Sequence, residues 1–313
     1  MNQLLNFFNG SSIFSNIALC GAYNLPIIKE GDENLTCFRT KYGIYEYLVI
    51  PFELTNSHAS FQNLVNDILY ALLDLYVVVY LDDIMVFSKA EEEHFTHLST
   101  VLAILRANNL FAKASKCLFH VSSIEYIGYI VFYEGLEMEQ ETLLQILNQQ
   151  PPRNFKDLES FLGFSNFYHC FIKNYSKKIS SHTSFLKKDS HFHLNDESVK
   201  TFHQLKEAFT TAPILSHFNP SLPNIVDTDA SYYALGAILS QFSDSGKHLI
   251  AFDSSNILPE ELNYEINEKE LLGIVWALKH LIAFLISLSS PFEVLTDHSS
   301  LQYFMSSKIL THC

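Results

Sequence analysis

Residues Val77–Phe87 read VVVYLDDIMVF, and no other stretch narrows the possible folds as far. Three consecutive valines with Tyr80 and Leu81 lead into two adjacent aspartates, and Ile84–Phe87 lead away from them. β-Branched and aromatic residues favour a pleated, buried surface, so each apolar run reads as a strand. Asp82 and Asp83 then sit at the tip of a hairpin. Two carboxylates on a rigid tip suit hard divalent cations, which take oxygen ligands in fixed geometry. Aspartate is also an ordinary turn residue, so these eleven positions alone leave both readings open.

The surrounding chain supplies partners for that hairpin. Gln3–Phe8 reads as the tail of a helix ended by Asn9-Gly10, and Ile13–Leu19 (IFSNIAL) as a strand. Tyr45, Tyr47 and Val49 alternate as a half-buried strand would. Ser57–Leu73 places Phe61, Leu64, Val65, Ile68, Leu69 and Leu72 on one helical stripe. Glu91–Asn108 does the same with Phe95, Leu98, Val101, Leu102 and Leu105. The three glutamates that open this second helix suit the positive helix N-terminus and read as a solvated cap. Residues 110–131 predict strand, turn, strand.

Gln149–Arg153 (QQPPR) breaks the pattern, and helices are expected over Asp157–Tyr168 and Val199–Thr211. Pro213 and Pro220–Pro223 mark a further boundary. Beyond it, Ile225–Ser231, Leu235–Gln241 and Leu249–Asp253 predict three strands, Glu265–Leu285 a helix and Phe292–Asp297 a last strand. Leu271–Leu288 is the most membrane-like run, but Lys279 and His280 interrupt it, so a buried amphipathic helix is expected there.

Charge bears on what such a chain can hold. The net charge is −14, which opposes broad contact with nucleic acid, because Lys and Arg supply most affinity for phosphate. The balance is uneven along the chain. Residues 1–112 hold 5 basic and 12 acidic side chains and residues 221–313 hold 4 and 11, whereas residues 113–220 hold 11 of each. A phosphate backbone would therefore be gripped by the middle third, where Lys173, Lys177, Lys178, Lys187 and Lys188 cluster. The five cysteines form no CxxC pair, and Met1–Gly10 has neither a basic start nor an apolar core. Reduced thiols in an intracellular setting, a cytoplasmic particle or the nucleus, with no membrane partner, are the expectation.

Several motifs in order give a resemblance over about residues 3–313. YLDD looks like the catalytic box of reverse transcriptases, and the chain resembles the Pol polyproteins of gypsy-type LTR retrotransposons. FSNIALCGAYN resembles a strand of the form FSKLDLRGAYN, and residues 30–62 and FLGFSNFYHCFIKNYSK match as well. TDAS, EKELLGIVWALKH and LTDHSSL resemble an RNase H domain. The implied fold is of the α+β and α/β classes. A reverse-transcriptase palm (an antiparallel sheet with helices, partial fingers and a primer-grip region) would take residues 1–150, a helical thumb or connection 151–220, and an RNase H-like α/β domain 221–313.

The resemblance also implies roles. Asp82 and Asp83 would be catalytic and metal-binding in the palm, and Asp229, Glu270 and Asp297 in the RNase H-like domain, with Mg²⁺ or Mn²⁺ as cofactor. Tyr23, Lys113 and Lys116 would contact the nucleotide. Tyr126 and Gly128 in the primer grip, with Lys173, Lys177 and Lys178, would contact nucleic acid. The implied partners are an RNA template, RNA–DNA hybrid and dNTPs, within a polyprotein that also carries protease and integrase.

The chain departs from that pattern in ways that bear on activity. Ala18 and Cys20 stand where the family has Asp and Arg, so one of three palm carboxylates is missing. Glu53 replaces the glycine of PFGLTNAP, which puts a carboxylate and its bulk beside an incoming triphosphate. Ser57-His58 replaces Ala-Pro, Asp253 stands where Phe is usual, and His280-Leu281-Ile282 replaces a segment of the type HWR. The fingers segment before Gln3, and a helix with a fourth acid after Cys313, are expected to be missing. The implied activity is RNA-directed DNA polymerase with RNase H, in a copy defective for polymerisation. The alternatives are a non-catalytic binder of RNA–DNA duplex and a translated relic without function.

Overall fold

Apolar runs that turn back through two aspartates pair with each other first, and the rest of the first sheet assembles on them. In the computed structural model, which describes residues 7–21, 24–51, 54–183, 196–286, 288–297 and 301, the strands are β1 (Ile13–Ala18), β2 (Phe38–Thr40), β3 (Gly43–Tyr45), β4 (Val77–Tyr80), β5 (Asp83–Ser88) and β6 (Leu118–Val121). The expected helix tail at Gln3–Phe8 lies mostly outside the described residues. Strands β4-β5-β1-β6 form one sheet in that order, within a unit made of Met1–Ile124 and Val131–Tyr133. Successive residues of β4 and β5 are buried on both faces, which is why Val77–Val79 and Ile84–Phe87 are continuously apolar and not alternating. On one face, Ile17, Val77, Val79, Ile84 and Val86 pack with Phe61, Val65 and Leu69 of α1 (Ser57–Leu69) and with Val101 and Leu105 of α2 (Glu91–Ala107). On the other, Phe8 meets Phe14 and Phe87 edge to face, at 6.2 and 5.2 Å between ring centroids.

Two sequence expectations change here. The half-buried strand around Tyr45 is an exposed two-stranded ribbon of β2 and β3, with all three β3 residues exposed. Its alternation lines up rings that stack on Phe38, Tyr45 at 6.0 Å and Tyr47 at 5.0 Å, and does not bury them. Helix α2 buries His94, Val101 and Leu105, leaving Phe95 69% exposed. The helix is rotated from the expected stripe because His94, and not Phe95, finds partners in the sheet.

Strands β7 (Ser123–Tyr126), β8 (Tyr129–Phe132) and β9 (Gly135–Met138) form a three-stranded sheet. The second unit, Glu125–Ile130 with Glu134–Cys313, continues through α3 (Gln140–Asn148), α4 (Phe155–Phe167), α5 (Tyr175–Thr183) and α6 (Asp196–Thr210). The side chain of Asn154 caps α4 by accepting from Asp157 N at 2.9 Å. Its second sheet, ordered β12-β11-β10-β13, comprises β10 (Asn224–Ala230), β11 (Ala234–Ser243), β12 (Gly246–Asn256) and β13 (Glu293–Thr296). β10 to β12 run antiparallel, and β13 lies parallel to β10.

Helix α7 (Ile266–His280) packs on β10 and β11 of this sheet, and a Cβ at Gly273 would stand at ordinary contact distance from Ala230 and Leu235. A capping box between Glu265 and Glu268 fixes where α7 starts. The long helix expected to Leu285 breaks at Leu281, which is buried with Phe284 of α8 (Ile282–Leu285) against Phe218, Val226 and Leu239. Among the described residues no helix is long and apolar enough to cross a membrane.

Candidate functional site

The hairpin tip is built from a strained turn and a clamp. Leu81 has φ +55°, a conformation that costs a residue with a Cβ about 1–2 kcal/mol. Gln62 of α1 holds it: its Oε1 accepts from Leu81 N at 2.7 Å, and its Nε2 donates to Val79 O at 3.2 Å and to Asn66 Oδ1 at 2.8 Å. Asp82 and Asp83 follow at once. Cross-strand register places Ala18 directly opposite Asp83 and Asn16 opposite Met85, so Ala18, Asn16 and Asp83 share the sheet face turned away from α1 and α2. Directly opposed Cβ atoms in such a pair lie about 5 Å apart. A carboxylate at position 18 would therefore stand beside Asp83, and alanine leaves only a methyl group there.

Burial raises the Asp83 pKa above the ordinary carboxylate value. The hydrogen bond from Asn16 Nδ2, at 3.3 Å, and the charge of Lys116 act to lower it, while Asp82 adds to the rise. Asn16 Oδ1 is itself buried with no hydrogen-bond partner among the described residues. The charge of Lys116 thus reaches the acidic tip. Lys113 is exposed and braces the end of β1 through its backbone N–H to Ala18 O at 2.8 Å. Tyr23 and Glu53 lie outside the described residues.

The primer-grip expectation is corrected at Tyr126. Its ring is 2% exposed, so the side chain is core and presents no face to a duplex. Gly128 has φ +75°, and a Cβ there would meet Tyr168 Oη at 2.6 Å. That hydroxyl donates to Gly128 O at 3.1 Å. This turn is therefore tied to α4 through its backbone.

Lys173, Lys177 and Lys178 lie together on a groove of about 650 Å³ between α5 and α6. Lys187 and Lys188 lie outside the described residues. Beside that groove is a cleft of about 590 Å³ that contains Asp227, Asp229 and Asp297, together with Lys173, Asn174 and Lys247. Asp229 and Asp297 reach it from the ends of the neighbouring parallel strands β10 and β13. Glu270, 4% exposed on α7, accepts from Thr296 Oγ1 at 3.0 Å, one residue before Asp297. Asp227 is held by Lys247 at 2.9 Å. The cleft therefore brings together Asp229 and Asp297, and Glu270 approaches the same strand end from the helix. Among the described residues no three His, Cys, Asp or Glu side chains form a group that could hold a metal ion.

Gln62, Asn16, Asn174 and Lys247 were not singled out from sequence. Gln62 lies half-buried beside the Phe61 stripe of α1, and a polar side chain at that edge is the available signal. Asp253, at a position where Phe was expected, lies 3.8 Å from His169 Nε2 and 3.4 Å from His280 Nδ1.

Comparison with known proteins gives two domain matches. Residues 5–131 match the family described as reverse transcriptase (RNA-dependent DNA polymerase). Residues 194–299 match the RNase H-like domain found in reverse transcriptase. The transposon Tf2-3 and Tf2-7 polyproteins of Schizosaccharomyces pombe are each 36% identical over 302 residues, or 96% of this chain. The chain spans 23% of the length of those curated relatives. A foamy viral protease-reverse transcriptase in complex with double-stranded DNA has the same fold, with TM-score 0.84 and 23% identity over 98% of this chain and 53% of that one. The foamy viral protease-reverse transcriptase in complex with RNA/DNA hybrid gives 0.83 at 23% identity, over 98% of this chain and 41% of its own.

Proposed function

We propose that this chain, whose two domains match the reverse transcriptase family and the RNase H-like domain found in reverse transcriptase and which is 36% identical to retrotransposon polyproteins, holds RNA–DNA hybrid without extending a primer. Residues 1–150 act as palm, 151–220 as thumb or connection, and 221–313 as the RNase H-like domain. The remaining capacity for chemistry then lies with Asp229, Glu270 and Asp297. The observation that carries this reading is that Asp229 and Asp297 share one cleft with Lys173, which also lines the lysine groove. Lysines neutralise phosphates without regard to sequence, and the acids stand where a backbone so held would pass.

Among the described residues neither centre gathers three acids into a group that could hold a divalent cation. At the hairpin the donors are Asp82 and Asp83 alone, because Ala18 offers none. In the cleft the donors are Asp229 and Asp297, while Glu270 is engaged by Thr296 and Asp227 by Lys247. When bound, Mg²⁺ or Mn²⁺ supplies charge neutralisation and activation of a water for attack on a phosphodiester. The protein's own part is to position the RNA strand through Lys173, Lys177 and Lys178 and to hold Glu270 against the end of β13. Glu53, where the family has glycine, opposes a dNTP triphosphate by charge. The working context is a polyprotein that also carries protease and integrase, inside the cell.

The test is binding of RNA–DNA hybrid as a function of salt, for the unmodified chain and for a Lys173→Glu, Lys177→Glu, Lys178→Glu variant. Each phosphate contact contributes about 0.9 to the slope of log affinity against log salt. Loss of roughly three phosphates' worth of slope in the variant is the expected result. An unchanged slope would place the duplex elsewhere.

A further inference from the structure

Asn174 stands where the lysine groove becomes the acidic cleft. Together with Lys173 it lines both, and it also lines a small recess shared with Lys177 and Asp229. Its backbone is left-handed, φ +55°, which asparagine tolerates better than most residues with a Cβ. Its carbonyl accepts from Lys178 N at 3.2 Å, which ties it to the first turn of α5. The side-chain amide makes no hydrogen bond to another described residue.

A glycine makes room for that amide. Gly236 is the cross-strand partner of Asp229, and a Cβ on Gly236 would lie 2.7 Å from Asn174 Oδ1. The absence of a side chain on β11 thus seats the amide against the sheet beside the acid at which the cleft begins. The groove side carries cations suited to phosphate, and the cleft side carries carboxylates that repel it. A neutral group between them, with both a donor and an acceptor, matches a sugar hydroxyl better than a phosphate.

We propose that Asn174 reads the ribose 2′-hydroxyl of an RNA strand that passes from the lysine groove into the acidic cleft. That hydroxyl is donor and acceptor at once, as the amide is, and DNA lacks it. The chain then prefers RNA–DNA hybrid to DNA duplex through this contact. The proposal rests on the nucleic-acid reading above.

The experiment measures affinity of the full chain, by fluorescence anisotropy and without divalent cations so that no strand is cut. The probes are an RNA–DNA hybrid and a DNA duplex of the same sequence. Asn174→Gly removes the amide and suits the positive φ. Gly236→Ala keeps the amide but displaces it. Each is expected to weaken hybrid binding roughly fivefold, the scale of one neutral hydrogen bond, and to leave DNA duplex binding unchanged. The double variant is expected to be no weaker than the weaker single one, because both changes remove one contact.

Equal loss for hybrid and duplex would overturn the proposal, as would no loss for either, or an unmodified chain that does not prefer hybrid. An unmodified chain that binds neither probe would overturn the nucleic-acid reading itself. That failure shows before any substitution is made.

Discussion

The first sheet takes both candidate acids from a single hairpin tip, Asp82 and Asp83, while the second takes Asp229 and Asp297 from the ends of two strands and Glu270 from a helix. The first arrangement is rigid and local: Gln62 pins the turn, and the register of β1 and β5 is held by Phe14, Ile17 and Ile84, each fully buried. A methyl group at position 18 therefore removes a carboxylate without disturbing any of that packing. Fold and chemistry separate cleanly there. In the second sheet, Glu270 is buried and bonded to Thr296, so an acid of the candidate centre is also part of how helix and sheet meet. Losing it would cost structure as well as reactivity.

The strongest way to break this contrast is to repair the tip. The unmodified chain is expected to give no primer extension on a poly(rA) template with Mg²⁺ or Mn²⁺ and dNTPs. Joined to a family-like fingers segment, Ala18→Asp with Glu53→Gly is expected to regain some extension, because a lost metal ligand costs several kcal/mol of transition-state stabilisation, on the order of a thousandfold in rate. Extension by the unmodified chain at a rate matching the repaired one would show that the third ligand has been misplaced.

A smaller effect separates the sheets by pH. His94 is fully buried, with Ser15 Oγ 2.7 Å from Nε2 and Ser88 Oγ 2.9 Å from Nδ1. Burial, then the nearby His120 and His97, lower its pKa to about 4 from an ordinary 6.5. The unfolded chain binds this proton more readily than the folded one. Stability from His94 is thus complete above pH 6.5 and is lost as pH falls toward 4, in total roughly 3 kcal/mol. Urea unfolding of the first unit between pH 7 and pH 4 should show that loss, and His94→Gln should flatten it.

The clamp sharpens the comparison further. Gln62→Ala leaves the Leu81 N–H without its partner, and about 1–3 kcal/mol of stability should go with it, read from the denaturation midpoint of the first unit. The smallest change is expected in the cleft. Lys247 and Asp227 are both partly exposed, with side chains 48% and 30% accessible, so Lys247→Gln should shift the melting midpoint by less than about 1 kcal/mol of stability.

What the sequence disclosed follows from what is local. The hairpin, the helices of the first unit and the four strands of the second sheet were legible because their periodicity and turn residues are contiguous. The buried face of α2 was not, because Phe95 outweighs His94 on any hydrophobicity scale until Ser15 and Ser88 are seen beside it. The alternation of Tyr45, Tyr47 and Val49 reports two faces but not whether anything covers one of them. Tyr126 was expected at a surface because its motif suggested a grip, and packing put it in the core. Of the candidate sites, the acids were readable as motifs. Gln62 and Asn174 were not, since their importance rests on Leu81 and Gly236, each distant in sequence and adjacent only after folding.

The most direct measurement uses one substrate for both centres: an RNA template annealed to a DNA primer, both strands labelled, with Mg²⁺ and dNTPs. Slow cleavage of the RNA strand, abolished by Asp229→Asn, and no lengthening of the primer are the expected results. Primer extension by the unmodified chain, or RNA cleavage that survives Asp229→Asn unaltered, would contradict them.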